Sequence, residues 1–263
     1  MVLREVTATA SVVLAPNPGP MTLDGTNTWV LRAPGSQACV VVDPGPLHEG
    51  HLAEVAAQGP VAVVLLTHGH LDHSEGARRF AELTGARVRA LDPAQRHPSR
   101  GGEDERLGEG DVVAAAGLEL RVLATPGHTA DSLSFVLDDA VLTGDTVLGR
   151  GTTVVAHPDG VLGDYLASLG RLRELGDRTV LPGHGPELSS AGRAAEQYLA
   201  HREARLEQVR AAVAAGVVDP DEVVERVYAD VDRVLWPAAR LSVLAQLAHL
   251  ELHGELRGGQ DRP

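Results

Sequence analysis

Short apolar runs rich in Val and Leu alternate with polar or Gly/Pro-rich connections through most of the chain. Residues 12–14, 28–31, 40–42 and 61–66 have the length and β-branched character of buried strands. The segment from Pro16 to Asn27, rich in Pro and Gly, reads as a loop. Residues 48–58 carry Leu52, Val55 and Ala56 at helical spacing, and 74–83 predict a second helix with Ser74 near its start. A β-α-β order results, continued by a strand at 87–91. The polar, Gly-rich stretch 92–110, which contains His97, predicts an exposed loop. Beyond it come a strand at 118–124, a hairpin of 133–137 and 140–143 around Asp138-Asp139, a helix at 164–175 and a strand at 179–181.

From Ala191 the period changes to that of helices. Residues 191–215 form a long Arg/Glu/Ala-rich helix closed by Gly216, and His201 on it reads as a surface residue. Asp219-Pro220-Asp221-Glu222 then supplies a capping carboxylate, Pro at the first helical position and an acid in the first turn, with Val223, Val224, Val227 and Tyr228 on one side. A last helix, 237–253, repeats Leu241, Leu244, Leu247 and Leu250. Helices cannot extend a sheet, so the expectation is a main domain at 1–200 and a small helical one at 201–263.

Candidate chemistry collects where the strands end. Thr67-His68-Gly69-His70-Leu71-Asp72-His73 puts three imidazoles and a carboxylate at one strand-to-helix corner. Such donors suit zinc, and iron or manganese accept the same set. Three later strands end in Pro126-Gly127-His128, Gly144-Asp145 and Pro182-Gly183-His184-Gly185-Pro186. Gly and Pro stop a ladder and let one side chain turn inward, which packing alone does not ask for. Asp43, ahead of Pro44-Gly45, either caps local amides or steadies metal ligands from behind. His68, His70, Asp72, His73, His128, Asp145 and His184 suffice for two metals, with one carboxylate to bridge. Two cations roughly 3.5 Å apart hold a shared water, lower its pKa and stabilise the oxyanion it creates, the chemistry of ester, thioester, amide or phosphodiester hydrolysis. Asp72 is expected to hold a metal and also to receive or orient the proton of the attacking water.

The H-x-H-x-D-H corner, the turns at His128 and Asp145 and the Pro-Gly-His-Gly-Pro turn at His184, in this order, resemble the metallo-β-lactamase superfamily. The resemblance implies a four-layer αββα sandwich, in which His68, His70 and His128 bind one zinc, Asp72, His73 and His184 the other, and Asp145 bridges. A narrower resemblance covers nearly the whole chain. Asn17-Pro18-Gly19-Pro20-Met21-Thr22-Leu23, Gly25-Thr26-Asn27-Thr28, Leu148-Gly149-Arg150-Gly151-Thr152-Thr153 and the helix bearing His201-Arg202 are similar to the lactamase-beta-like group. That group includes an endoribonuclease of single-stranded RNA and thioesterases that release polyketides from a carrier protein, and it ends in a winged-helix-like domain. Thr152 and Thr153 are accordingly expected at the substrate mouth, and Asn27 either joins them there or serves to satisfy loop backbone groups. An antibiotic-hydrolysing β-lactamase is not implied, since that class has no bridging Asp where Asp145 stands. The glutathione site of glyoxalase II, which bears Lys, has no counterpart in a chain without Lys.

Charge narrows the substrate. The net charge is −13, with 15 Arg against 25 acids in residues 1–200 and 8 against 11 thereafter, so neither part offers a basic track for a polyanion. A single anionic group at the metals remains compatible with that balance. Hydrophobic residues make up 43% of 263, enough for a large core, but only seven are Phe, Trp or Tyr. Cys39, the sole cysteine, reads as a small core side chain. No secretory signal pattern or long apolar span is present, and the expected setting is cytoplasmic with no membrane partner. The favoured expectation is a two-zinc hydrolase of a small ester or acyl thioester, with the C-terminal helices as a lid. A single-stranded RNA endoribonuclease is the alternative, and a binding module with a structural metal fits least, because structural zinc sites close their coordination.

Overall fold

The computed structural model describes residues 3–96 and 106–257; the loop histidine His97, with the rest of 97–105, lies outside the described residues. β1 Arg4–Glu5, β2 Ala10–Leu14, β3 Asn27–Leu31, β4 Cys39–Val42, β5 Val61–Leu65 and β6 Val88–Arg89 pair in sequence order into one sheet. β7 Val112–Ala115, β8 Leu118–Ala124, β9 Leu133–Val136, β10 Ala140–Gly144 and β11 Thr179–Pro182 form a second, in the reverse spatial order. The helices are α1 Glu49–Ala56, α2 Leu71–Ser74, α3 Ala77–Thr84, α4 Leu162–Arg173, α5 Ala191–Ala214, α6 Pro220–Val227 and α7 Trp236–Leu252.

Strand periodicity sorts the apolar side chains into three interlayer spaces. Val12, Trp29, Leu31, Val40, Val42 and Leu65 of the first sheet meet Leu120, Val122, Phe135, Leu142 and Leu181 of the second. Their opposite-face neighbours Val30, Val41 and Val64 pack on Leu52 and Val55 of α1 and Phe80 of α3. On the far side, Leu123, Val136, Val141 and Val180 pack on Tyr165 and Leu169 of α4 and Ala195 of α5. The result is the four-layer αββα sandwich, in which each fully buried Val or Leu contributes about 1.5–3 kcal/mol. Trp29 also ties the sheets at one end, its indole donating to Pro182 O at 3.0 Å.

Strand direction explains where function can sit. β4 and β5 are parallel, as are β10 and β11, and β8 runs the same way as β10 because both are antiparallel to β9. The C-terminal ends of β4, β5, β8, β10 and β11 therefore open on one edge of the sandwich, and these are the ends that carry the His and Asp turns.

Several expectations needed correction. The helix after the corner does not begin at Ser74: a turn of helix already spans Leu71–Ser74, with His73 N and Ser74 N both bonded to His70 O. Gly76 then interrupts it, its N–H turned to Gly45 O, and α3 follows. Asp72 and His73 thus ride on a helical turn, which fixes their directions better than a loop would. β1 and β7 were not anticipated; the first has two residues and the second is half exposed, too little apolar pattern to read. The strand expected at 87–91 is confined to Val88–Arg89.

At the C-terminal end, Asp219 caps α6 as expected, accepting from Asp221 N at 3.0 Å and Glu222 N at 3.2 Å. α5 passes through residue 200 unbroken, and Val209, Val223, Val243 and Leu250 of α5, α6 and α7 belong to the same apolar cluster as α4. No helix among the described residues is long and apolar enough to cross a membrane.

Candidate metal centre

Two groups of donors converge at the open edge: His68, His70, His128 and Asp145 in one, Asp72, His73 and His184 in the other, each with its ligand atoms within 4.8 Å of one another. In the first, His70 Nδ1 lies 3.0 Å from His68 Nε2 and 3.1 Å from His128 Nε2. In the second, His73 Nε2 and His184 Nε2 are 3.2 Å apart, and Asp72 Oδ2 lies 3.3 Å and 3.1 Å from them. Asp145 reaches both groups, with Oδ1 3.4 Å from His73 Nε2 and Oδ2 3.3 Å from His184 Nε2 and 3.8 Å from His128 Nε2. All seven candidate residues are brought together.

The outer nitrogens fix how the rings are presented. His128 Nδ1 is 2.7 Å from Val154 O and His184 Nδ1 is 3.1 Å from Gly25 O; carbonyls only accept, so both Nδ1 atoms carry protons. His73 Nδ1 lies 2.9 Å from Asp43 Oδ2. Thr67 Oγ1 donates to Asp43 Oδ2 at 2.6 Å, which leaves that oxygen to accept from His68 Nδ1 at 3.0 Å. Four imidazoles therefore have Nδ1–H tied from behind and Nε2 facing inward, the arrangement a metal-ligating histidine requires.

Electrostatics asks for positive charge at the centre. Asp145 is buried, its Oδ1 has no hydrogen-bond partner, and despite burial its carboxyl is held well below the usual range by His73 and His184. Against its own burial, the His184 pKa is pushed up to about 9 by Asp145 and Asp72. Burial and neighbouring imidazoles hold His68 below the usual value. Protons or divalent ions can meet this demand, and seven convergent nitrogen and oxygen donors fit ions. The backbone is shaped to the same end: Gly183 packs so closely that a Cβ there would stand 2.4 Å from Asp145 Oδ1 and 2.7 Å from His73 Cε1. Gly127, at φ 128, lets the His128 turn run against α4, where a Cβ would stand 2.3 Å from Tyr165 N.

Asp43 accepts from the backbone N–H of Thr67 at 2.8 Å and also from Thr67 Oγ1 and His73 Nδ1, so it stands behind the donor side chains while it holds an amide of the strand end. Asn27 does not line the cavity over His128 and Asp145. It is 5% exposed, and its amide donates to Pro182 O at 3.0 Å and Gly185 O at 2.8 Å, clamping the His184 turn. Thr152 and Thr153 do line a cavity of about 320 Å³ whose floor includes His128 and Asp145. Its walls are mainly apolar, from Met21, Leu23 and Leu148 to Val231, Leu235 and Ala239 of the C-terminal part. Sequence reasoning missed the support behind Asp72. Thr26 Oγ1 donates to Asp72 Oδ2 at 3.1 Å and is itself held by Asn17 Nδ2 at 2.9 Å. The only sequence signal was the polar pair Asn17 and Thr26 within a Gly/Pro loop.

Comparison with known proteins accords with this geometry. Residues 21–184 match the family model described as metallo-beta-lactamase superfamily, and 220–258 match the beta-lactamase associated winged helix domain. An atrochrysone carboxyl ACP thioesterase of Aspergillus fumigatus is 32% identical over 274 residues, covering 94% of this chain and 84% of the relative. The beta-lactamase-like protein 2 homolog of Drosophila melanogaster is 31% identical, covering 97% and 92%. The crystal structure of a beta-lactamase domain protein from Burkholderia ambifaria superposes with a TM-score of 0.79 at 26% identity, covering 96% and 88%.

Proposed function

The chain belongs to the metallo-β-lactamase superfamily, and on that premise we propose that it is a dinuclear zinc hydrolase of acyl thioesters. The observation that carries this reading is the pair of donor groups joined by Asp145 at the floor of a largely apolar cavity. Such a cavity suits an acyl chain better than a phosphodiester backbone, and the relative named as an ACP thioesterase acts on a thioester. Under this reading His68, His70 and His128 would hold one ion, Asp72, His73 and His184 the other, and Asp145 would serve both; iron or manganese would fit the same donors. The ions, when bound, supply a water of lowered pKa and countercharge for the acyl oxygen.

The chain's own residues do the rest. Asp72 Oδ2 accepts from Thr26 Oγ1 and faces Nε2 of His73 and His184, while the side chain is 27% exposed, so that Oδ1 is the atom placed to orient water or take its proton. The apolar walls exclude bulk solvent from the reacting carbonyl. Residues 201–263 act as a lid wall over the site of domain 1–200, through Arg202, Arg205, Tyr228 and Ala239. We place the enzyme in the cytoplasm, where a buried lone thiol such as Cys39 needs no partner.

Asp72→Asn should keep most of its metal, since an amide oxygen can still ligate, and lose about 10²–10⁴-fold in turnover. Metal analysis beside steady-state kinetics reads this, and equal loss of both would reduce Asp72 to a ligand. The substrate reading is tested by assaying a panel of acyl thioesters and a labelled single-stranded RNA side by side, each against Asp145→Ala. Metal-dependent thioester turnover is expected. RNA cleavage at low enzyme without thioester turnover would overturn the reading.

A further inference from the structure

Three arginines line the cavity, and two of them are already neutralised. Arg150 forms a forked pair with Asp24 at 2.5 and 2.9 Å, and Arg205 one with Asp230 at 3.2 and 3.3 Å. Arg202 is only 3% exposed and makes no ion pair among the described residues. Its Nη2 donates to Thr153 O, its guanidinium lies 5.1 Å from the centre of the Tyr165 ring, and its buried Nε donates to nothing. Holding one carbonyl needs one N–H, whereas this site keeps a whole buried guanidinium. An aromatic face attracts such a cation but does not neutralise it, and a buried charge left uncompensated is costly. A planar fork with spare donors matches a carboxylate.

We propose that the cavity takes acyl groups bearing a carboxylate apart from the scissile carbonyl, and that Arg202 is the residue that meets it. The inference deepens the thioesterase reading and rests on it for the position of the scissile bond. Arg202 and the metal centre are joined through one residue: Thr153 O accepts from Arg202, while Thr153 Oγ1 is 3.2 Å from His128 Nδ1. One short acyl chain can therefore span both. In a chain of net charge −13, this unpaired cation makes the cavity selective for an anion that the surface would repel.

Equilibrium binding tests the proposal without any bond being broken. Calorimetry on the metal-loaded protein would compare the thioether hexylthiobutanoate with its uncharged amide. Wild type should prefer the acid by about tenfold or more, the range of a charged hydrogen bond. The preference should fall to near one in Arg202→Met and survive in part in Arg202→Lys; Arg202→Gln replaces the Met variant if that does not fold. Comparing two ligands within one variant cancels any general loosening of the 151–155 segment. Equal binding of acid and amide by wild type, no binding of either, or a preference unchanged in Arg202→Met would each overturn the proposal, the last by assigning the anion to the metals or Arg205. Because the probes are not substrates, failure of thioester turnover would strike the hydrolase reading and leave this measurement standing.

Discussion

Asp145→Ala, purified without added metal, is expected to carry at most one metal ion per chain where wild type carries close to two. Thioester turnover should fall about a thousandfold or more. The expectation follows from position: the oxygens of Asp145 approach both donor groups, 3.4 Å from His73, 3.3 Å from His184 and 3.8 Å from His128. It is also the charge that makes a cluster of buried imidazoles tolerable. Without it His73 and His184 face each other at 3.2 Å, with Asp72 in front of them and Asp43 behind His73 left to favour a cation there. The first group loses less, because His68, His70 and His128 still offer three nitrogens. Elemental analysis reads the outcome directly. A variant that retained two ions would show that Asp145 is not a ligand, and the dinuclear reading would fall with it.

Most of this site was legible because its donors stand at strand ends, where the pattern of the chain changes abruptly. His68, Asp145 and His184 each follow an apolar run and a Gly, Pro or Thr, and short buried strands confine such residues to the open edge of the sandwich. The strands that build the interlayer clusters were readable for the same reason, β4 being buried on both faces, while their stacking in four layers was implied by the family resemblance. What escaped was whatever depends on contacts across the fold. Asn27 and Asp72 are both polar residues beside loops; one is sealed against the His184 turn and the other is partly open to solvent, a difference set by β3 pairing and the 17–26 loop. Arg202 stood out only as part of the His201-Arg202 pair that carries the narrower resemblance, and packing between the 151–155 segment and α5 is what shows that it is buried. The helix start was misplaced because Leu71 is 67% exposed, so the first turn lacks the apolar face on which periodicity depends.

Asp43→Ala tests the claim that ligand geometry is set from behind the metals. Asp43 touches no substrate position; it is 1% exposed, at φ 51, and accepts from Thr67 N, Thr67 Oγ1 and His73 Nδ1. Truncation leaves a buried N–H on Thr67 and another on His73 with no acceptor, at about 1–3 kcal/mol each. It also frees Thr67 Oγ1, which orients His68, so one carboxylate steadies a ring in each donor group. The variant should lose roughly 3 kcal/mol of stability and bind metal about 10–100-fold more weakly. Asp43→Asn separates the two effects. Asn tolerates the left-handed backbone and can still accept from Thr67 N, so most of the stability should return. With the amide oxygen kept toward Thr67 N, the NH2 group takes the place of the oxygen that served both Thr67 Oγ1 and His73 Nδ1, so both lose that acceptor and metal affinity should remain low. Denaturation of the metal-free proteins, set beside chelator competition on the loaded ones, measures both quantities; wild-type metal affinity in Asp43→Ala would show that His73 and His68 hold their directions without it.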